Sequence, residues 1–268
     1  MISLAKKSPS GEPWVMLTAY DALMAKEVEK GGADLILVGD SLGKAILGYE
    51  GVEEVTLDDM VHHCKAVVRG RKNIPVIGDL PVKSYEDKSM ALASSKKLIQ
   101  QGVDYVKLEG FIPEIIKHLV QNNIPLIAHL GHTPQKADPS GKVVSANRLQ
   151  SANLLLEQCL QIEKSGACAI VLEMVSREVA KKITDSLSIP TIGIGSGPDT
   201  DGQVLVITDM WGESDVNFKF LRKFGNIEKE KCLAVKKYCD AVRSSEYPSD
   251  EQAFHIKKSE KEIWESGD

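Results

Sequence analysis

The sequence predicts a (β/α)8 TIM barrel, and three observations favour this fold class. The chain has 268 residues, close to the roughly 250 that such a barrel takes. Short apolar segments rich in β-branched residues recur along it and alternate with patterns typical of amphipathic helices, which indicates a parallel α/β fold. These segments are apolar almost throughout rather than alternately polar, as expected of parallel strands that are covered on both faces.

The predicted strands are short, and most of them follow a Gly or a Pro. They are Trp14–Ala19, Asp34–Gly39, Ile74–Gly78, Val103–Leu108, Ile124–Ala128, Cys168–Leu172, Pro190–Ile194 and Gln203–Ile207. Only the eight residues from Gly195 to Gly202 separate the last two strands, whereas a parallel crossover takes about a dozen or more. Either this crossover is shortened, or the segment Gly202–Met210 is partly helical.

Helical patterns occupy the spaces between the strands. Thr56 and Asp59 form a capping signal for a helix that ends at Gly70, and Pro113 suits the first turn of another helix. Further helices are predicted at residues 86–101, 147–165, 176–187 and 227–245. We expect one barrel domain at residues 1–255, including the last of these helices, and a loosely held charged extension at residues 256–268.

Composition excludes several classes of protein. Lys and Arg number 33 and Asp and Glu 38, a net charge of −5, so we expect no nucleic-acid partner. The chain has no run of 18 apolar residues, and its first residues lack the apolar core of a secretory signal, so we expect no membrane segment. The five cysteines form no CxxC pair and no zinc spacing. They are therefore expected to be free, buried thiols in a reducing cytoplasm.

Ionisable residues stand at the carboxyl ends of the predicted strands, where TIM-barrel enzymes carry their catalytic groups. They are Asp40, Asp79, Lys107, Glu109, His129 and Glu173. A single acid at a strand end is more often a helix cap or a turn residue, and a structural role is the alternative for His129. In a barrel, however, these ends surround one opening, where four carboxylates need a cation or protons to relieve their repulsion. Their oxygen donors predict Mg²⁺ or a similar hard ion, and Lys107 offsets one charge or binds an anionic substrate.

Other polar residues carry weaker signals. His62 and His63 lie on an amphipathic helix and are expected to be solvated or structural. His132 follows Gly131 in a loop, and the sequence leaves equally open whether it belongs to the site or is an ordinary loop residue. The glycines of Gly193–Gly197 allow a ligand to approach the backbone closely, but GxGxxG is absent, so we expect no dinucleotide site. The long loop Gly131–Ala146 is either a lid or a surface connection.

A series of segments then matches a known family. The segments are TAYD (18–21), LVGDSLG (37–43), VTLDDMVHHCKAVVRG (55–70), GDLP (78–81), VKLEG (106–110), HLGHTPQ (129–135), LE (172–173), IGIGSGPDTDGQVLV (192–206) and YPSDEQAFH (247–255). In this order, over about residues 12–255, they resemble the ketopantoate hydroxymethyltransferase family. VGDSLG, DLP and VKLEG are the most specific part of the match.

The resemblance implies a TIM barrel of the phosphoenolpyruvate/pyruvate-like group and an activity. The family transfers a hydroxymethyl group from 5,10-methylenetetrahydrofolate to 3-methyl-2-oxobutanoate, which forms 2-dehydropantoate in pantothenate biosynthesis. The resemblance also implies a large homo-oligomer, and we expect the protein to be cytoplasmic. Residues after His255 extend beyond the family's usual end.

It further implies roles for individual residues. Asp40, Asp79 and Glu109 match the family's magnesium site, although Mn²⁺, Co²⁺ or Zn²⁺ would suit the same donors. Asp40, Ser41, Asp79 and Lys107 match its contacts with the keto acid.

Two further residues complete the implied site. Glu173 matches the family's proton acceptor, the catalytic residue of this chain. His129 stands where the family has an active-site histidine, and we expect it to contact the substrate.

The chain departs from the family pattern in three places. His132 stands where the family usually has Leu, and KVVSANR (142–148) replaces a KVQG-like stretch. The segment after Asp209, MWGESDVNFKF, is also unlike the common pattern. These departures concern the loop after the fifth strand and the folate side, so the folate contacts are not carried over.

Two other functions stay open. One is a metal-dependent 2-oxo acid lyase or mutase of the same barrel group, and the other is a barrel that binds a keto acid without catalysis. Only the transferase needs a folate for turnover.

Overall fold

The computed structural model describes residues 4–136 and 145–267. The chain divides into two compact units, Met1–Met210 with Ser214–Arg222 and Trp211–Glu213 with Lys223–Asp268. That residues 1–255 act as one domain stays a prediction. The loop Gly131–Ala146, which is either a lid or a surface connection, and the stretch 142–148 fall largely on residues 137–144, which lie outside the described residues.

The first unit is a closed barrel of eight parallel strands in sequence order, which confirms the predicted fold class. The strands are β1 (Trp14–Thr18), β2 (Leu35–Val38), β3 (Val76–Asp79), β4 (Tyr105–Glu109), β5 (Leu126–Gly131), β6 (Ala169–Glu173), β7 (Thr191–Ile194) and β8 (Gly202–Leu205). All the predicted strands are present, with ends that differ by up to three residues.

Helices surround the strands and continue after them. They are α1 (Ala22–Lys30), α2 (Leu57–Gly70), α3 (Lys88–Ile99), α4 (Pro113–Gln121), α5 (Leu149–Lys164), α6 (Arg177–Ser186), α7 (Ile207–Trp211), α8 (Ile227–Arg243) and α9 (Lys258–Ser266). The capping signal of α2 is confirmed, because Asp59 N–H donates to Thr56 Oγ1 at 3.1 Å and Thr56 N–H donates to Asp59 Oδ2 at 3.0 Å.

The crossover between β7 and β8 explains the ambiguity in the sequence. No helix lies between Ile194 and Gly202, so this crossover is shortened, and residues 207–211 after β8 are helical. Both alternatives therefore hold in part. Gly202 pairs with Trp14 and closes the barrel, and a Cβ on Gly202 would lie 2.6 Å from the Trp14 carbonyl oxygen. Only glycine permits this close approach of the last strand to the first.

The barrel interior is filled by apolar side chains along most of its length and carries ionisable side chains at the carboxyl ends of the strands. Side chains at every second strand position point inward, and the inward residues Met16, Leu35, Ile77 and Val171 belong to one buried cluster. The next inward position on several strands carries an ionisable residue instead. The site therefore lies directly above a packed layer of buried apolar side chains.

The cysteines correct one expectation. All five are free, but only Cys64 and Cys159 are buried, and Cys232 is exposed because it lies on α8, which buries none of its residues. Within residues 4–136 and 145–267, no helix is long and apolar enough to cross a membrane.

The second unit is mainly α8 and α9. Tyr238 on α8 contacts Tyr247, with 5.7 Å between ring centroids, and Lys231 pairs with Glu213. Residues 258–266, expected to be loosely held, are helical, but they bury no side chain.

Candidate active site

The carboxyl ends of β3 to β6 bring the predicted side chains together. Asp79 stands opposite Lys107 in the register of β3 and β4, and Glu109 stands opposite His129 in that of β4 and β5. Lys107 and Glu109 are two apart on one strand, so they share the inward face. Glu173 occupies the equivalent position at the end of β6.

Lys107 and Asp79 form a buried ion pair. Lys107 Nζ lies 2.6 Å from Asp79 Oδ2, and both side chains are almost fully buried. Burial lowers the pKa of Lys107, but the carboxylates of Asp79, Asp40 and Glu109 outweigh it and raise that pKa above its usual value. Lys107 is therefore a permanent cation in the site.

Asp40 lies beside this pair. Its backbone N–H donates to Asp79 Oδ2 at 3.4 Å. Burial, then the charge of Asp79, raises the pKa of Asp40 to about 7, and burial raises the pKa of Asp79 as well. The site thus holds more negative charge than Lys107 compensates.

The residues present fit a hard cation in their donor chemistry. Asp79 Oδ1 is buried and has no hydrogen-bond partner, which is costly unless a ligand or ion occupies it. Yet among the described residues no three Asp, Glu, His or Cys side chains are gathered closely enough to hold a metal as they stand. Asp40 and Asp79 are neighbours, whereas both oxygens of Glu109 face other groups.

His129 lies between two carboxylates. Its Nδ1 is 3.3 Å from Glu109 Oε2 and its Nε2 is 3.2 Å from Glu173 Oε2. Burial and the charge of Lys107 lower the pKa of His129, but the hydrogen-bonding and charge effects of Glu109 and Glu173 outweigh them. The net result raises the pKa of His129 to about 9. The imidazole therefore lies between the two acids, although neither of its nitrogens makes a hydrogen bond of good geometry. The Glu173 side chain keeps 19% of its surface exposed, which leaves it accessible to a ligand.

Gln135 is a site residue that the sequence reasoning missed. Its backbone N–H donates to Glu109 Oε1 at 2.7 Å, and its side-chain Nε2 donates to Asp40 Oδ2 at 2.6 Å and to the Leu80 carbonyl at 3.0 Å. Tyr85 donates its hydroxyl to Gln135 Oε1. The signal for Gln135 was present as the last residue of HLGHTPQ, but its place depends on a turn after β5 rather than on a strand.

Ser41 and Tyr20 form a second polar pair. Their hydroxyl oxygens lie 2.9 Å apart, and burial raises the pKa of Tyr20 to about 12. Tyr20 therefore stays protonated and holds Ser41 by a hydrogen bond.

All the predicted site residues line one cavity at this end of the barrel. They are Asp40, Ser41, Asp79, Lys107, Glu109, His129 and Glu173. The weaker candidates His63 and His132 are not among the residues that line this cavity. His63 Nδ1 donates to the Tyr20 carbonyl at 2.6 Å, and the backbone N–H of His132 donates to the Glu173 carbonyl at 2.8 Å. In the glycine-rich segment, Ser196 Oγ donates to the Leu172 carbonyl at 2.7 Å.

Comparisons with known proteins agree on one family. A family model described as ketopantoate hydroxymethyltransferase matches residues 1–250. The chain is 42% identical over 261 residues to the 3-methyl-2-oxobutanoate hydroxymethyltransferase of Syntrophomonas wolfei, covering 95% of each chain. It is 44% identical over 260 residues to the enzyme of that name from Clostridium novyi, covering 95% of this chain and 94% of the relative.

Solved structures share the fold at much lower identity. A 2,3-dimethylmalate lyase of the PEP mutase/isocitrate lyase superfamily matches with a TM-score of 0.59 and 15% identity, over 96% of this chain and 95% of that one. A phosphonopyruvate hydrolase in complex with oxalate and Mg²⁺ matches with a TM-score of 0.60 and 12% identity, over 96% and 92% of the two chains. At such identities the likeness concerns the fold alone.

Proposed function

The chain belongs to the ketopantoate hydroxymethyltransferase family, and from this premise we propose how its site performs the reaction. The protein is a hydroxymethyltransferase that acts on 3-methyl-2-oxobutanoate in pantothenate biosynthesis. The lyase and mutase alternatives are not favoured, because the solved lyase, phosphonomutase and hydrolase structures are only 12–17% identical to this chain. The non-catalytic alternative is not favoured, because all the predicted ionisable residues line one cavity.

The one-carbon donor in this proposal is 5,10-methylenetetrahydrofolate. The C3 proton of the keto acid leaves, C3 forms a bond to the methylene carbon, and the bonds from that carbon to the folate nitrogens break. Water supplies the hydroxyl oxygen, and tetrahydrofolate is released together with 2-dehydropantoate.

We propose that Lys107, Asp79, Asp40 and Ser41 bind the keto acid. Lys107 is a buried cation that attracts the substrate carboxylate and the negative charge that develops on the keto oxygen. Ser41, held by Tyr20, donates a hydrogen bond to one of these oxygens. The observation that carries this proposal is the buried Lys107–Asp79 pair in one cavity with Glu173.

The metal in this proposal is Mg²⁺ or a similar divalent cation, held by Asp40 and Asp79 with Glu109. The unpartnered Asp79 Oδ1 and the raised pKa of Asp40 support it, as does the Mg²⁺ named in the phosphonopyruvate hydrolase complex. When bound, such an ion withdraws electrons from the keto group and makes the C3 proton more acidic.

Glu173 is the proton acceptor in this account. It lies on β6, and its carboxylate contacts His129 rather than Asp40 or Asp79, so its oxygens are not needed to hold the ion. His129 contacts both Glu109 and Glu173 and stabilises the negative charge of each.

A homo-oligomer is also part of the proposal. Helix α8 buries none of its residues, and on one of its faces the apolar side chains Val235, Tyr238 and Val242 are 44–62% exposed. A row of exposed apolar side chains on one helix favours association with another protein surface.

The test is product formation from the two substrates. Enzyme supplied with Mg²⁺, 3-methyl-2-oxobutanoate and 5,10-methylenetetrahydrofolate should form 2-dehydropantoate, and omission of the folate should stop it. Exhaustive chelation should abolish turnover, and Mg²⁺ should restore it. Full activity of enzyme shown to be metal-free would contradict the metal, and turnover of the keto acid without folate would favour a lyase.

A further inference from the structure

The two sides of the active-site cavity differ in chemistry. The side formed by β2 to β6 carries the ionisable residues described above. The remaining side, formed by β7, β8 and the segment after α7, is mostly apolar. Its lining residues are Ile194, Val204, Leu205, Val206, Asp209, Phe218 and Phe220. The keto acid, which is small and anionic, has its partners on the first side, so the second side is left for another ligand.

Two phenylalanines form an aromatic surface on the apolar side. Phe218 and Phe220 stack with ring centroids 5.5 Å apart and planes 7° from parallel. A Cβ on Gly195 would lie 2.8 Å from Phe220 Cδ1, so this glycine, with φ +66°, makes room for the ring. Phe218 remains 43% exposed. An exposed aromatic ring at the wall of a cavity is a stacking surface for a flat ligand.

Among the described residues that line the apolar side, Asp209 is the acidic one. Ser214 Oγ donates a hydrogen bond to Asp209 Oδ1, which holds the carboxylate in place. A carboxylate accepts a pair of parallel N–H donors across its two oxygens, each of which has two lone pairs. The ligand that suits this side is therefore a flat aromatic ring with two adjacent N–H donors on one edge.

We propose that Phe218, Phe220 and Asp209 bind the pteridine ring of the one-carbon donor. The planar pyrimidinone half of the reduced pteridine stacks on Phe218, and its N3–H and 2-amino group donate to Asp209. This inference rests on the proposed function, in which a tetrahydrofolate supplies the carbon. The methylene carbon is attached to the pteridine and must reach C3 of the bound keto acid, so the ring has to lie against a wall of this same cavity.

The test compares binding of tetrahydrofolate with a partial reaction that needs no folate. Phe218→Ala and Asp209→Asn should each raise the Kd for tetrahydrofolate, measured by calorimetry, about tenfold or more, and should raise the KM for 5,10-methylenetetrahydrofolate likewise. Exchange of the C3 hydrogen of 3-methyl-2-oxobutanoate into D₂O, without folate, should continue in both variants. Phe218→Tyr keeps the stacking ring and should bind like the wild type.

Phe111→Ala is the matched control, because Phe111 is a similarly exposed phenylalanine at the carboxyl end of another strand. Wild-type Kd values in both Phe218→Ala and Asp209→Asn would overturn the inference while leaving the proposed function intact. Equal losses of exchange and folate binding would also overturn it, because they would assign these residues to the keto acid or to the scaffold. Wild-type enzyme that neither binds tetrahydrofolate nor forms product would overturn the proposed function itself.

Discussion

Lys107 carries the positive charge of the site. Lys107→Met should raise the KM for the keto acid and lower kcat, because the cation binds both the substrate and the enolate derived from it. Steady-state kinetics measures both effects, and a thermal melt separates them from loss of structure, since the change leaves buried Asp79 without its partner. Lys88→Met, in an exposed ion pair, is the control. An unchanged kcat/KM would show that Lys107 does not contact the substrate.

Gln135 positions two of the acids rather than reacting itself. Its amide orientation is defined, because Asp40 Oδ2 and the Leu80 carbonyl accept from Nε2 while Tyr85 donates to Oε1. Gln135→Glu would place an oxygen where the donor was and should lower kcat/KM roughly 10- to 100-fold, since a hydrogen bond to a charged group is worth about 1.5–3 kcal/mol.

A second variant, Tyr85→Phe, shows whether Gln135 positions the acids or only supports the fold. Tyr85→Phe leaves the hydrogen bonds donated by the Gln135 side-chain amide possible but removes the hydroxyl that orients this amide. A smaller loss of kcat/KM is therefore expected than in Gln135→Glu. Binding of Mg²⁺, followed by calorimetry, should weaken in Gln135→Glu in parallel with activity. Wild-type kinetics in Gln135→Glu would contradict the positioning role.

Five of the seven predicted site residues share one property, whereas Asp40 and Ser41 lie just beyond the end of β2. Asp79, Lys107, Glu109, His129 and Glu173 extend the inward alternation of their own strands, so a period of two residues places them. The residues that it missed, Gln135, Tyr85 and Tyr20, are set by turns and by contacts across long sequence separations. No local pattern encodes such contacts.

At the scale of single elements, the capping box of Thr56 and Asp59 contributes to the stability of α2. Thr56→Ala removes the hydroxyl that accepts from Asp59 N–H and donates to Asp59 Oδ2, whereas the backbone N–H of residue 56 can still donate to Asp59. The change should lower the free energy of unfolding by about 1 kcal/mol, the usual effect of losing an N-cap. Urea denaturation at pH 7 measures this, and Thr56→Ser should retain most of the stability. Equal stability of Thr56→Ala and the wild type would contradict the capping role.

The same cap predicts a pH dependence. The Thr56 hydroxyl and then its N–H lower the pKa of Asp59. A carboxyl whose pKa is lower in the folded state adds stability above its unfolded pKa of about 3.9, and this stability is lost as the pH falls through the folded value. The stability difference between the wild type and Asp59→Asn should therefore shrink as the pH is lowered below about 4.

Element boundaries were predicted less well than element types. Strands β4 to β6 continue past their predicted ends into Glu109, Gly131 and Glu173, because pairing with a neighbouring strand extends them into polar residues. Helix α1 was not predicted, although Asp21 caps it by accepting from two backbone N–H groups. Burial of only Ala25 and Val28 leaves α1 with a weak apolar signal.

For the whole molecule, the barrel was predictable because its unit repeats. Most strand–helix units give the same signal, so weak elements such as α1 and β8 are supported by the others. The second unit contains no such repeat, and α8 remains exposed along its length. The packing partners of α8 cannot be predicted from the hydrophobic pattern of its own sequence.

The exposed side of α8 carries the prediction of an oligomer. Val235→Glu with Val242→Glu should lower the mass measured by light scattering, because two charges would be placed on an apolar interface. Lys229→Glu, elsewhere on α8, is the control and should keep the assembly. A wild-type protein that is monomeric at all concentrations would contradict the homo-oligomer.

Proton removal by Glu173 is the central claim about the whole site, and hydrogen exchange tests it most directly. With Mg²⁺ and 3-methyl-2-oxobutanoate in D₂O and no folate, wild-type enzyme should replace the C3 hydrogen with deuterium, followed by NMR. Glu173→Gln keeps the shape of the side chain but removes the base, so exchange should slow by about 10²–10⁴-fold while keto-acid binding is nearly unchanged. Exchange at the wild-type rate in Glu173→Gln would contradict the account and assign proton removal to another group.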